Sequence, residues 1–185
     1  GHVEACDSCA ARRVAYNSCR NRHCPKCQGT QAAVWLEREA ADVLPVEYFH
    51  VVFTLPAEVA AVALVNPRAV YGLLFRASWE TIRDVAADPK HLGAEVGVLA
   101  VLHTWGQSLQ HHPHVHCVAT GGGLACDATG TPTRPWRWRA CRPGFFLPVR
   151  VLSRVFRGKF VAGLRRAFAA GELRFPGAGA GLADV

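Results

Sequence analysis

A dense group of metal-binding side chains lies near the middle of the chain. Four of the six residues from His111 to His116 are histidines, and one hydrophobic residue separates His114 from His116. If this segment is a β-strand, the side chains of His114 and His116 project from the same face, because strand side chains alternate. Two imidazoles on one face supply half of a divalent-metal site and leave positions open for substrate oxygens. We therefore predict that this pair binds a metal ion; the alternative is a histidine pair packed on a sheet.

A second group of potential metal ligands lies near the start of the chain. Two Cys-x2-Cys pairs, Cys6 with Cys9 and Cys24 with Cys27, are separated by fourteen residues. Each pair can bind one zinc ion through two thiolates, and two pairs complete a closed tetrahedral site close to the zinc-ribbon pattern. The sequence predicts a structural zinc ion with these four ligands. Further candidate ligands are Cys19, His23 and His2.

Other uses of these cysteines remain open. A redox dithiol would need only one Cys-x2-Cys pair. A disulfide framework is less consistent with five of the eight cysteines lying between Cys6 and Cys27, among basic residues and close to a histidine.

The distribution of charge favours a polyanionic partner. Twenty-one Lys and Arg residues against fourteen Asp and Glu give a net charge of +7. Between Arg134 and Arg174 there are eleven basic residues and one acidic residue. Basic clusters of this kind are typical of contacts with the phosphate backbone of DNA. The candidate nucleic-acid-binding residues are Arg12, Arg13, Arg20, Arg22 and Lys26 around the cysteines, and Arg137 and Arg139 downstream.

Two tryptophans alternate with two of these arginines. Trp136 and Trp138 would share one face of an extended segment, with Arg137 and Arg139 on the other. Aromatic faces can stack on the bases of single-stranded DNA while arginines contact phosphates. An equally good interpretation is that both tryptophans cover the core.

The periodicity of apolar residues predicts an alternation of helices and strands. We expect helices over 30–44, capped by Thr30, over 57–65, over 67–87, capped by Asn66, and over 149–170. We expect strands over 48–55, 96–105 and 114–120, with 96–105 central because it is almost uniformly apolar. Shorter strands are expected over 134–139 and 145–147, and residues 127–130 are expected to form a hairpin tip.

This order predicts an α+β protein with an antiparallel sheet and helices packed on one of its faces. The expected organisation is a zinc-binding module over residues 1–29, which has too few apolar residues for a core of its own, a connecting helix over 30–45, and a larger domain over 46–185. No apolar run reaches the roughly 18 residues needed to cross a membrane. Because the chain contains no methionine and ends in a Gly- and Ala-rich stretch, we expect it to be a fragment.

Four segments together resemble a known protein family. They are residues 16–28 (YNSCRNRHCPKCQ), 48–56 (YFHVVFTLP), 102–107 (LHTWGQ) and 112–116 (HPHVH). Their sequences and order resemble the two-tyrosine transposases of rolling-circle insertion sequences, which belong to the HUH endonuclease superfamily. The resemblance extends over nearly the whole chain.

The resemblance implies a zinc-binding domain followed by an HUH nicking domain, an antiparallel sheet flanked by helices. His114 and His116 fall on the HUH motif, where they would act as catalytic residues by holding Mg²⁺ or Mn²⁺ against the scissile phosphate. A tyrosine hydroxyl would attack this phosphate, giving a 5′-phosphotyrosine and a free 3′-hydroxyl. The implied partner is DNA, in particular single-stranded transposon ends, and the implied location is the bacterial cytoplasm, at the nucleoid.

Two features of the HUH site are left open by the sequence. The family adds a third metal ligand, for which His103, Gln107 and His112 are candidates. The family's nucleophilic tyrosines follow the HUH strand, whereas the last tyrosine of this chain is Tyr71. We therefore expect the nucleophile beyond residue 185, and we interpret Tyr16, Tyr48 and Tyr71 as packing residues.

The sequence is compatible with two other functional classes. One is a non-catalytic, zinc-dependent DNA-binding protein in which the histidine run only packs. The other is a metal hydrolase or deaminase acting on small molecules, which the absence of a His-x-Glu signature disfavours, because Val115 is followed by His116.

Overall fold

The computed structural model describes residues 1–17, 19, 24–106, 108, 110–127 and 129–175. The chain forms two compact units, Gly1–Pro45 and Val46–Val185. Among the described residues, no helix is both long and apolar enough to cross a membrane.

The first unit consists of a short hairpin and one helix. Strands β1 (His2–Ala5) and β2 (Arg12–Ala15) pair antiparallel, and helix α1 covers Pro25–Asp42. The predicted cap at Thr30 is wrong, because the helix begins five residues earlier, after an extended Cys24. A proline at the first helical position favours this start, since its fixed φ suits a helix and its missing N–H is not needed there.

The second unit is an antiparallel sheet with helices packed on one face. Its strands are β3 (Tyr48–Thr54), β4 (Ala94–Trp105), β5 (His111–Ala125) and β6 (Trp138–Ala140). The order is β3-β5-β4, and β6 pairs with the end of β5. The helices are α2 (Ala57–Val65), α3 (Pro67–Ala87) and α4 (Val149–Ala169). The predicted α+β class with an antiparallel sheet is confirmed.

The core lies between the helices and one face of the sheet. On β5, Val115, Cys117 and Ala119 are buried, and the apolar side of α3 meets them with Val70, Leu74, Ala77, Ile82 and Val85, as predicted. The same alternation directs residues 114, 116 and 118 of β5 to the opposite face. That opposite face is more open, since the side chains of Leu99 and Val101 on β4 are 64% and 47% exposed.

The prediction that residues 96–105 form the central strand is wrong. Within the described sheet β5 is central, with β3 on one side and β4 on the other. The uniformly apolar sequence of β4 misled the prediction, because only one of its faces is covered while Leu99 and Val101 on the other remain exposed.

Strand β5 extends well beyond the predicted segment 114–120, through three consecutive glycines. A Cβ at Gly123 would collide with the backbone oxygen of Glu95, and one at Gly121 would lie 2.6 Å from the backbone oxygen of Glu47. These glycines therefore allow neighbouring backbones to approach closely, and the strand continues where the sequence suggested an end.

The sequence predicted that Asn66 caps α3, but the structure shows no capping hydrogen bond from its side chain. Its buried amide instead joins two distant parts of the unit: Nδ2 donates to the carbonyl oxygens of Val62 and Arg174, and Oδ1 accepts from the backbone N–H of Arg174. The segment after α4 is thereby held against the α2–α3 junction.

The region between β5 and α4 is less regular than predicted. Residues 138–140 form the one strand there, and Arg142 and Phe145 make an isolated bridge, within the described part of this region. The predicted turn at Asp127 is present, because its carboxylate accepts hydrogen bonds from the backbone N–H groups of Thr129 and Thr131.

Candidate functional site

Three histidines converge on the open face of the sheet. His114 and His116 come from β5, and His103 comes from β4, where it is the direct partner of His114. One ring nitrogen from each of the three lies within 4.8 Å of the others. The antiparallel ladder therefore places three imidazoles where they can bind one metal ion.

Two of these imidazoles have their δ nitrogens engaged. Nδ1 of His114 lies 2.6 Å from the backbone oxygen of His112, and Nδ1 of His116 lies 2.7 Å from Nε2 of His50. Because a carbonyl oxygen only accepts, Nδ1 of His114 must carry the proton. The lone pair on its Nε2 is then free for a metal, which is the arrangement common in metal-bound histidines.

The environment of His116 favours its neutral form. Burial lowers the pKa of His116, and repulsion from His103, His114 and His50 lowers it further. Neutral imidazole is the form that binds metals. The donor set therefore fits a divalent transition-metal ion.

The three candidates for the third ligand differ in position. His103 belongs to the cluster. His112 uses its backbone oxygen to orient His114, and its ring centroid lies 5.3 Å from that of His114. Gln107 lies outside the described residues.

Sequence reasoning missed His50. It occupies an outward position of β3, and its ring lies nearly parallel to that of His116, with centroids 4.9 Å apart. Strand alternation places His50 on the same face as Tyr48 and Val52, but only the pairing of β3 with β5 brings it to His116.

In the first unit, three cysteines lie together. The sulfur atoms of Cys19, Cys24 and Cys27 are within 4.8 Å of one another, and the backbone N–H of Cys19 donates to Sγ of Cys27 at 3.3 Å. Cys24 and Cys27 were predicted as zinc ligands, whereas Cys19 was named only as a further candidate ligand. His23 lies outside the described residues.

Cys6 and Cys9 lie at the turn between β1 and β2. Hydrogen bonds from the backbone N–H groups of Ser8 and Cys9, and from the Cys9 thiol, lower the pKa of Cys6. This favours the thiolate that a metal requires.

The predicted DNA-binding residues lie in different settings. Arg12 and Arg13 are on β2, and Arg13 pairs with Glu4 at 2.8 Å. Lys26 is in α1, while Arg20 and Arg22 lie outside the described residues. Arg137 is exposed, whereas the guanidinium of Arg139 donates to the backbone oxygens of Leu92 and Gly93, which gives it a structural role.

The two neighbouring tryptophans also differ. The ring of Trp138 lies against Gly122, where a Cβ would come within 2.8 Å of it. Trp136 is 57% exposed, and the guanidinium of Arg134 lies over its ring at 5.4 Å. Of the pair, Trp136 is the better placed to stack on a base.

The tyrosines do not all fit the packing interpretation. Tyr16 is 72% exposed and Tyr48 is 38% exposed. Tyr71 is half-buried on α3, its hydroxyl lies 2.9 Å from Nε2 of His111, and burial raises its pKa. A raised pKa disfavours the phenolate form of Tyr71.

Both parts of the chain match known protein families. Residues 1–55 match the family model of a transposase zinc-binding domain, and residues 97–183 match that of a putative transposase. The first match agrees with the structural zinc ion predicted from the cysteines.

Two relatives are transposases. The putative transposase y4qJ of Sinorhizobium fredii is 61% identical over 95% of this chain and 42% of its own length. The transposase for insertion sequence element IS801 of Pseudomonas savastanoi pv. phaseolicola is 33% identical over 63% of this chain and 28% of its own length. The chain therefore covers less than half of either relative.

Among solved structures, the conjugative relaxase TrwC in complex with oriT DNA is similar in its copper-bound and metal-free forms. The TM-scores are 0.48 and 0.47, at 17% identity, over 63% of this chain and 42% and 43% of the relaxase chains.

The two family models, the transposase relatives and the order of the motifs agree with one another. In both of these parts the chain is similar to transposases, which agrees with the family that its motifs resemble.

Proposed function

We propose that this chain supplies the zinc module and the metal centre of a transposase that binds DNA and nicks single strands at transposon ends. The observation that carries the proposal is the convergence of His103, His114 and His116 within 4.8 Å on the open face of the sheet. A nicking site must admit an extended strand of DNA, and an open sheet face offers more room than a closed pocket.

The three imidazole ligands favour some divalent ions over others. Bound by the three imidazoles, a divalent ion would polarise the scissile phosphate. Imidazole suits transition metals, whereas Mg²⁺ prefers oxygen ligands. Of the two ions named above, Mn²⁺ therefore fits this centre better than Mg²⁺.

The chain's own residues would orient this centre and leave one side open for the phosphate. His112 fixes the tautomer of His114 through its backbone oxygen. We assign the attacking tyrosine to none of the three tyrosines of this chain, because all three precede β5, whereas the nucleophilic tyrosines implied by the resemblance follow the HUH strand.

In the first unit, the donor set fits zinc. Three thiolates leave one position of a tetrahedral site to be filled. We assign three ligands to Cys19, Cys24 and Cys27, and the fourth to the Cys6–Cys9 pair, whose hydrogen bonds already favour a thiolate. This assignment adds Cys19 to the predicted set and keeps one member of the first pair.

DNA would be held by basic side chains and by one aromatic. Arg12, Arg137 and the arginines of α4 provide contacts for phosphates. Trp136, exposed beside Arg134, would stack on a base of a single strand. The activity would take place in the bacterial cytoplasm, at the nucleoid, where DNA is available.

The test replaces both HUH histidines by alanine in the transposase that contains this chain. Nicking of labelled single-stranded DNA with Mn²⁺ should be abolished, while DNA affinity should change little because phosphate contacts dominate it. The matched control is His91→Ala, an exposed histidine in the turn between α3 and β4. Normal nicking by a folded double variant would overturn the proposal, and loss of folding without the control losing it would indicate packed histidines.

A further inference from the structure

We infer that His50 is a positioning residue for the metal centre: it accepts a hydrogen bond from Nδ1–H of His116 and so leaves Nε2 of His116 as the ligand atom. The inference rests on the proposed function of the histidine cluster and adds to it a residue on a third strand.

The short distance between two ring nitrogen atoms indicates a hydrogen bond between His50 and His116. Nε2 of His50 and Nδ1 of His116 are 2.7 Å apart, and the rings lie 9° from parallel. A separation of this size fits a hydrogen bond, in which one nitrogen carries the hydrogen and the other offers a lone pair. For two neutral imidazoles, that leaves two arrangements of the protons.

Only one arrangement is compatible with a metal bound at Nε2 of His116. If His50 donates, the proton of His116 must lie on Nε2, which then has no lone pair. If His116 donates from Nδ1, Nε2 is free and His50 carries its own proton on Nδ1. Metal binding therefore selects the second arrangement, and a side chain that accepts at this point favours the binding-competent tautomer before the ion arrives.

His114, the neighbouring ligand, makes the same kind of hydrogen bond from Nδ1, but to a different acceptor. Nδ1 of His114 lies 2.6 Å from the backbone oxygen of His112. That acceptor is part of the main chain and cannot be altered by substitution, whereas the acceptor for His116 is a side chain. His50 is therefore the position at which tautomer control can be tested directly.

The register explains why His50 reaches His116. In the β3–β5 ladder, Val52 is the direct partner of His116, and His50 is displaced by two residues along the same face. A diagonal neighbour of this kind lies within reach of a long or aromatic side chain. Val52 thus provides a matched control on the same face, closer along the ladder but without a polar atom.

The first experiment measures Mn²⁺ affinity of the 185-residue chain by calorimetric titration. His50→Leu, which keeps bulk but has no acceptor, should bind Mn²⁺ about 10–100-fold more weakly. His50→Gln places an amide oxygen near the position of Nε2 and should recover most of the affinity. Val52→Ala should bind as the unchanged chain does. Thermal unfolding of each variant separates loss of metal binding from loss of folding.

The outcomes distinguish the role of His50 from the existence of the metal centre. Equal affinities of His50→Leu and the unchanged chain, or a failure of His50→Gln to recover affinity, would overturn the role of His50. Failure of the unchanged chain to bind Mn²⁺ at all would instead overturn the proposed metal centre.

A second readout needs no substitution. Nitrogen NMR of histidine-labelled chain, at a mildly alkaline pH where imidazoles are neutral, reports which ring nitrogen carries the proton. We expect His116 as the Nδ1–H tautomer. Predominance of the Nε2–H tautomer would overturn the inference. So would pulsed EPR of the Mn²⁺ complex in which His50→Leu removes one coordinated imidazole, because His50 would then be a ligand.

Discussion

His103 and His114 are direct partners across the ladder between β4 and β5, and their rings meet edge to face with centroids 5.4 Å apart. The metal centre therefore depends on the pairing of two strands, with one ligand on β4 and two on β5. The ladder is irregular just beyond this pair, between His103 and Trp105, so the regular register ends at the centre.

The first prediction concerns the third ligand. His103→Ala should lower Mn²⁺ affinity more than about 100-fold, beyond the roughly 10–100-fold effects typical of residues that only orient ligands. Calorimetric titration of the chain would measure this. The matched control is His112→Ala, which keeps the backbone oxygen that orients His114 and should retain most of the affinity. A larger loss in His112→Ala than in His103→Ala would show that His112 is the third ligand.

The second prediction concerns zinc. Cys19→Ser should lower the zinc content of purified chain below one ion per molecule, because Cys19 joins Cys24 and Cys27 in one group. Cys126→Ser, in the other unit, is the control and should leave zinc content unchanged. Elemental analysis makes the comparison. Unchanged zinc in Cys19→Ser, with loss in both Cys6→Ser and Cys9→Ser, would restore the four-cysteine set expected from sequence.

The third prediction concerns the buried amide of Asn66. Asn66→Ala removes hydrogen bonds to Val62 and Arg174 and leaves buried or partly buried main-chain groups without those partners. We expect the free energy of unfolding to fall by about 2 kcal/mol, measured by urea denaturation. A change near zero would mean that water replaces the amide at little cost.

The fourth prediction concerns a buried hydroxyl that, unlike the amide of Asn66, makes no hydrogen bond in the described part of the chain. The hydroxyl of Ser78 is buried in α3 and has no hydrogen-bond partner in the part of the chain that the structure describes. Ser78→Ala should leave the free energy of unfolding unchanged or raise it by up to about 1 kcal/mol, because no bond is lost and a buried polar group is removed. A clear decrease in the same urea experiment would reveal a partner for this hydroxyl.

The fifth prediction concerns the ion pair between α3 and α4. Burial raises the pKa of Asp84, but hydrogen bonds from Lys159 and Arg83 outweigh it, so that the pKa lies below its usual value. A lowered carboxyl pKa stabilises the fold above the unfolded-state pKa, near 4, and this contribution is lost as pH falls through the folded-state pKa.

The measurement compares Lys159→Met with the unchanged chain across this range. Because the pair is partly exposed, the loss near neutral pH should be below about 1 kcal/mol. The difference should shrink as Asp84 is protonated in acid. A difference that stays constant down to the lowest pH would assign the effect to packing of the lysine stem.

Much of the fold follows from local sequence patterns. The apolar spacing of α3 and α4 and the aromatic and β-branched residues of β3 predicted these elements correctly, because each signal depends on residues close in the chain. The order of strands does not follow, because Leu99 and Val101 are apolar but exposed, and they made an edge strand resemble a central one.

The site was predictable to a similar extent. His114 and His116 share a face through strand alternation alone, so the sequence was sufficient to identify them. Choosing His103 over His112 requires the β4–β5 register, and finding His50 requires the pairing of β3 with β5. Cys19 was likewise recognisable as a ligand type, but only the local fold brings its sulfur to those of Cys24 and Cys27.

The most direct test of the metal centre is pulsed EPR of Mn²⁺ bound to the 185-residue chain, before and after the double change His114→Ala, His116→Ala. We expect bound Mn²⁺ to show coupling to imidazole nitrogen, and we expect the double variant to lose both the coupling and the bound ion. Zinc in the zinc-binding module should remain, since thiolates favour zinc over Mn²⁺. Bound Mn²⁺ without nitrogen coupling, or coupling that persists in the folded double variant, would show that His114 and His116 do not form the metal centre.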